Sequence, residues 1–179
     1  MKRRFFLAAA FASLLAGCSA LRPPDGERVQ RQIEGRFSIS VESGGDSRSD
    51  RGSFAWTEAE GWQRLDIGHP LAGTLMRLTI YPGRAVFEDG GGKKLEGRSA
   101  QALMAEYLGF DFPIAAFRSL LEANAATADS LELQGWDVSV VQRTSQGLPQ
   151  LVRLRKEPSG GSPLIRATLF IDSRHGYAR

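Results

Sequence analysis

The chain has 179 residues, with 23 basic and 20 acidic side chains, two histidines and one cysteine. A single thiol excludes an intramolecular disulfide, so stability must come from a packed core, and the length is that of one ordinary domain. The excess positive charge lies entirely in Lys2, Arg3 and Arg4, and the other 20 basic side chains are matched by 20 acidic ones, so the high pI is no argument for nucleic-acid binding, which needs a retained basic stripe.

The first element is a targeting segment. After the three basic residues, the apolar run over 5–16 is too short for the ~20 residues that span a bilayer, and small residues end it, so residues 1–17 read as a secretory signal. Its end, Leu15-Ala16-Gly17-Cys18, resembles the lipobox of bacterial lipoproteins. That resemblance implies that the Cys18 thiol receives diacylglycerol, that the signal is cut before it, and that the new amino terminus is acylated. Ser19, standing where aspartate would retain a lipoprotein in the inner membrane, implies the periplasmic face of the outer membrane. Residues 18–26, with Pro23, Pro24 and Gly26, read as a lipidated tether to one domain over 27–179.

Residues 27–34 could form a short helix. A period of two then begins, with Phe37, Ile39 and Val41 alternating against Ser38, Ser40 and Glu42. Gly44-Gly45-Asp46 and the polar run after it read as a turn. Phe54 and Trp56 alternate next, and Leu65 and Ile67 follow a Glu60-Gly61 turn. Met76, Leu78 and Ile80 lead to Pro82-Gly83. Ala85-Val86-Phe87 ends at Asp89-Gly90, a hairpin signal with its return strand over Lys94–Gly97. Gly90-Gly91-Gly92-Lys93-Lys94 lacks phosphate-loop spacing and opens a strand, so the hairpin reading is the better one.

The period changes at Ser99, a good N-cap. Leu103, Met104, Tyr107 and Leu108 fall at helical spacing, and Gly109 suits the stop. Pro113 opens a second helix with Phe117, Leu120 and Leu121 on one face. Residues 123–130 read as a loop. Alternation resumes in Trp136, Val138 and Val140, in Val152 and Leu154, and in Ile165, Ala167, Leu169 and Ile171. The sum is nine or ten short strands, with helices inserted after the sixth. Short links make successive strands antiparallel neighbours, and a sheet this large must curl or be covered. The pattern therefore predicts an α+β fold, a curved antiparallel sheet with helices on its concave face.

Catalytic chemistry is sparse. There is no HExxH pair, no metal-spaced Cys/His cluster and no G-x-S-x-G elbow, so neither a metal, a cofactor nor an enzymatic activity is expected. His175 lies in a polar tail and reads as an exposed residue. The apolar stripes read first as core, although a cavity lined by the same residues would leave the same pattern.

Several segments in order resemble the outer-membrane lipoprotein LolB family: the lipobox at Cys18, Gly35-Arg36-Phe37, Phe54-Ala55-Trp56, His69-Pro70-Leu71-Ala72-Gly73 and Tyr81-Pro82-Gly83. They continue through Leu108-Gly109-Phe110, Phe112-Pro113-Ile114, Phe117-Arg118, Gly135-Trp136-Asp137-Val138, Leu148-Pro149 and Ile165-Arg166. The chain departs from the family at Ser119-Leu120 and Ile171-Asp172-Ser173, where tryptophans are common, and at His69, where asparagine usually precedes the proline. The resemblance implies an incomplete, open β-barrel with a helical lid and an apolar interior. It implies a monomeric receptor that takes lipoproteins from the periplasmic carrier LolA, binds their acyl chains and places them in outer-membrane phospholipid.

The candidate cavity residues are Phe37, Ile39, Phe54, Trp56, Leu65, Met76, Leu78, Trp136, Val138 and Leu169, and the candidate lid residues are Leu103, Leu108, Ile114, Phe117 and Leu120. Leu71, bracketed by Pro70 and Gly73, is the candidate membrane-insertion loop. By the residues alone a loop leucine more often folds back on its own core, whereas the resemblance implies that it protrudes. Two rival readings stand beside this one: an assembly lipoprotein that binds a protein partner without lipid transfer, and an envelope hydrolase, which would need a pocket with perturbed titratable groups.

Overall fold

A computed structural model describes residues 28–123 and 128–176. The signal segment, Cys18 and the tether lie outside the described residues, as do 124–127 of the loop after the second helix.

Six strands come first: β1 (Val29–Ser43), β2 (Asp46–Ala59), β3 (Trp62–His69), β4 (Gly73–Tyr81), β5 (Arg84–Asp89) and β6 (Lys94–Gly97). Two helices follow, α1 (Ala100–Leu108) and α2 (Ile114–Leu121), and then β7 (Ser130–Leu133), β8 (Trp136–Arg143), β9 (Pro149–Lys156) and β10 (Leu164–His175). The ten strands form one sheet in the order β6-β5-β4-β3-β2-β1-β10-β9-β8-β7, and every neighbouring pair is antiparallel. Two meanders are thus joined where β10 returns beside β1. The sheet stays open between β6 and β7, and the helices occupy the connection between those edges. The fold class is the expected one, an open antiparallel sheet with a helical cover.

Three local expectations are corrected. Residues 29–34 are not helical but open β1, where Ile33 is fully buried opposite Trp56 of β2 and Arg174 of β10. Pairing on both sides overrides a weak local preference. The polar run after Gly44-Gly45 is strand, not turn: β2 starts at Asp46, directly opposite Ser43. Gly44 and Gly45 take φ of 59° and 91°, the two positive values that a two-residue hairpin turn demands. Within and after the expected loop over 123–130, Ser130–Leu133 forms the edge strand β7, with Leu131 opposite Val138 and Leu133 opposite Trp136.

Both helices form where their signals stand. The Ser99 hydroxyl accepts the Ala102 N–H at 3.1 Å, and Gly109 ends α1 at φ 77°, its N–H donating to the Ala105 carbonyl. α1 rests on β4, β5 and β6 through Leu103 and Met104, and the Tyr107 ring lies 4.6 Å from that of Phe87. α2 begins after Pro113 and buries Ile114, Ala116, Phe117, Leu120 and Leu121.

Alternation puts Leu65 and Ile67 inside the barrel and Arg64 and Asp66 on its convex face, yet both charged residues are buried. Asp66 accepts a 2.6 Å hydrogen bond from Arg77 of β4. Its other oxygen makes a 2.9 Å ion pair with Arg64, without hydrogen-bond geometry. The Arg64 guanidinium stacks 5.2 Å from the Trp62 ring. This cluster crosses β3 and β4, the hairpin whose loop carries Leu71.

Candidate functional site

The concave face is built around a reciprocal pair on β1 and β2. Phe37 stands opposite Gly52, and Gly35 stands opposite Phe54. Each ring lies over the glycine facing it: a Cβ on Gly52 would meet the Phe37 ring at 2.9 Å, and one on Gly35 would meet the Phe54 ring at 2.7 Å. The same Cβ atoms would also strike the carbonyls of Gly68 and Phe170 on the flanking strands. Glycine is required here because the strands coil tightly and the rings lie flat on the sheet.

Under those rings is an apolar cavity of about 270 Å³. Six of the candidate cavity residues line it: Phe37, Ile39, Phe54, Leu65, Met76 and Leu169. So do Leu108 and Phe117 of the candidate lid. The rest of the wall was not singled out from sequence. Ile67 and Ala167 belong to stripes already recognised, Met104 and Tyr107 to the α1 face, and Phe110 and Phe112 to the linker between the helices. At the mouth stand Arg48, Asp50, Arg51 and His69, with Arg48 and Asp50 ion-paired at 2.9 Å.

Four residues assigned to the cavity belong instead to the filled core. Trp56, Leu78, Trp136 and Val138 are at most 1% exposed and do not border the hollow. Aromatic packing fills that part of the barrel. The Phe117 ring meets Trp56 at 6.2 Å and Phe54 at 5.7 Å, both edge-to-face. Phe112 touches Phe117 and Trp136 at 5.5 and 6.1 Å, and Phe110 lies 6.3 Å from Trp136. Leu103, Ile114 and Leu120 are buried beneath the helices, also away from the hollow. The interior is therefore divided, with a wall of Phe110, Phe112 and Phe117 between a packed half and an empty one.

Charge fastens the packed half. The Trp56 indole N–H donates to Glu58 at 3.0 Å. Arg118 of α2 approaches Glu58 at 3.4 Å and Glu122 at 3.0 Å, while Arg31 of β1 reaches the same two carboxylates at 3.7 and 3.6 Å. On the convex face Arg36 forms a two-pronged pair with Asp172. The hydrogen bonds to Asp172, and then its charge, raise the Arg36 guanidinium above its ordinary value.

At the other end, the β3–β4 loop projects Leu71, which is 93% exposed. Its conformation is fixed by short-range bonds. The His69 carbonyl accepts the Ala72 N–H at 3.2 Å, His69 Nδ1 accepts the Leu71 N–H at 3.2 Å, and Gly73 takes φ of 71°. Pro70 and Gly73 are exposed on either side. His175, at the end of β10, is exposed as its surroundings suggested.

Residues 30–173 match the family model described as "Outer membrane lipoprotein LolB", and the chain belongs to that family. It is similar to the outer-membrane lipoprotein LolB of Bordetella petrii, 30% identical over 172 residues that cover 87% of this chain and 86% of the relative. A second relative of the same name, from Cupriavidus necator, is 30% identical over 90% of this chain and 91% of its own. The one from Pseudomonas aeruginosa is 26% identical over 86% and 90%. Among solved structures, the crystal structure of a LolA superfamily protein from Nitrosomonas europaea covers 81% of this chain and 86% of that one, at 9% identity and a TM-score of 0.31.

Proposed function

We propose that this protein is an outer-membrane acceptor and insertase for lipoproteins, anchored on the periplasmic face through lipid on Cys18. It takes cargo from a LolA carrier, shelters acyl chains in the cavity under the lid, and releases them into phospholipid beside Leu71. The observation that carries this reading is one juxtaposition: an apolar hollow with a charged rim opens beside a loop whose leucine is 93% exposed. A lipoprotein that served only as scaffold would need no such hollow.

The physical task fits the site. Each acyl methylene exposed to water costs ~0.8 kcal/mol, so cargo must be covered throughout the transfer. The chain carries no nucleotide-binding motif, and the handover runs downhill from carrier to cavity to bilayer with no covalent step. A leucine set out in water is poorly placed for stability and well placed to enter the headgroup layer. The protein works as a monomer, since one hollow and one loop suffice.

The test is transfer of an acylated lipoprotein from loaded LolA to the purified mature protein without ATP, scored by co-elution, and then delivery to liposomes. Wild type is expected to do both. Leu71→Glu is expected to accept cargo normally and fail at delivery, because a carboxylate resists entry into the headgroup region. Normal delivery by that variant refutes the role of the loop, and no transfer from a competent carrier refutes the acceptor reading.

A further inference from the structure

His69 touches two places at once. It lines the mouth of the cavity, in company with Leu75, Met76 and Asp50. Its ring Nδ1 accepts the Leu71 N–H at 3.2 Å across a spacing of two residues. An acceptor two residues before the amide it holds is the geometry by which asparagine and aspartate close an Asx turn, here made with an imidazole. The difference is reach. An Asx side chain is shorter than an imidazole, and His69, which holds the loop amide, also lines the cavity mouth.

We propose that His69 is a positioning residue that ties occupancy of the cavity to the posture of the Leu71 tip, because one residue both lines the mouth and holds the loop backbone. With the mouth empty the ring keeps the Leu71 amide bonded and the tip fixed. Lipid lying against the ring turns it, the Nδ1 bond is lost, and the tip is released to enter a bilayer. Accepting at Nδ1 also fixes the neutral imidazole as the Nε2–H tautomer, a state with a distinct nitrogen signature. The rest of the loop is unaffected by this release, since the Ala72 N–H is held by the His69 carbonyl and not by the ring. The coupling rests on acyl binding in the cavity, and the experiment separates the two.

The experiment uses the whole mature chain carrying Cys18→Ser, labelled with ¹⁵N, and dodecanoate as the probe. Saturable binding is measured by calorimetry, and the Leu71 amide exchange rate and the His69 nitrogen shifts by NMR. In the wild-type loop, saturation with dodecanoate is expected to speed Leu71 amide exchange about fivefold, the factor that one net hydrogen bond is worth, and to move the Nδ1 resonance. His69→Asn keeps the acceptor but not the reach, so its Leu71 amide is expected to stay protected with and without probe. His69→Leu keeps the bulk but not the acceptor, and its amide is expected to exchange fast in both states. Saturable binding with unchanged Leu71 exchange and an unmoved Nδ1 resonance overturns the coupling alone. Absence of saturable binding overturns the acyl-binding reading and the coupling with it. If His69→Leu fails to fold, the contrast between wild type and His69→Asn still decides.

Discussion

Glu58 is the residue whose removal distinguishes most sharply between two ways of fastening the lid. Its carboxylate is 9% exposed, accepts from the fully buried Trp56 indole and faces Arg118 and Arg31, which are 42% and 43% exposed. Both guanidiniums reach water, so the ~3–5 kcal/mol cost of stranding a buried charge does not apply. Each ion pair is instead worth about 0–1 kcal/mol. The indole cannot reach water, and leaving it unsatisfied costs about 1–3 kcal/mol. Glu58→Gln keeps an acceptor for the indole and loses only the charge, for an expected cost of about 1 kcal/mol. Glu58→Ala loses both, for about 2–4 kcal/mol. Urea denaturation reads the difference, since with m of about 1–3 kcal/mol/M the alanine variant should melt roughly 1 M below the glutamine variant. Equal losses in the two variants would refute this reasoning and hand the whole effect to charge. A wild-type midpoint that falls in high salt as far as the alanine variant would do the same.

Gly52→Ala is expected to destabilise by about 1–3 kcal/mol, because its Cβ meets the Phe37 ring and, closer still, the backbone carbonyl of Gly68, which cannot swing aside. Because Phe37 also lines the hollow, a shift of its ring should weaken acyl binding as well, and a thermal melt with a dodecanoate titration checks both. Ala167→Phe is the complementary change. It puts a ring into existing empty space on β10, so the melting temperature should hold or rise while cargo acceptance from LolA is lost. A variant that folds and still accepts cargo would show that the acyl chain lies elsewhere.

How far the sequence can be read depends on which periodicity a feature leaves. Period two exposes which side of a strand faces inward, and on that basis Phe37, Phe54, Leu65 and Met76 all lie on the concave face. It leaves no record of depth along the barrel axis. Trp56 and Trp136 follow the same alternation as the cavity lining and are nevertheless packed solid, because what fills their end is Phe110, Phe112 and Phe117 arriving from elsewhere in the chain. Phe110 and Phe112 sit in a linker outside any helical or strand period, so periodicity does not assign them to the wall, although both stand in segments that carry the family resemblance. The first half of β2 is hidden for a different reason: its exposed residues from Asp46 to Arg51 are polar, and only the paired positive φ of Gly44 and Gly45 sets its register. Leu71 is the opposite case. Its exposure runs against the burial preference of leucine, and the turn residues around it, not its own chemistry, hold it out.

If the protein accepts and delivers acyl chains as proposed, the division of the interior bears on how an acceptor can also be a donor. A barrel hollow throughout would cover more of an acyl chain and, at ~0.8 kcal/mol per methylene, would compete with the bilayer that the proposed function makes the final recipient. Here α2 is anchored by Glu58, Arg118 and Arg31 over a filled half, so the hollow is confined to about 270 Å³. α1, which closes the other half, leans on β4, β5 and β6 and ends at the left-handed Gly109, so an opening at that side needs no ion pair of the Glu58 cluster to break. The cargo would then be covered only in part, close to the rim and within reach of the loop that carries Leu71. On the proposed function, partial cover would make the bound state shallower than the bilayer, and a shallow bound state beside Leu71 would let transfer run in one direction without a nucleotide.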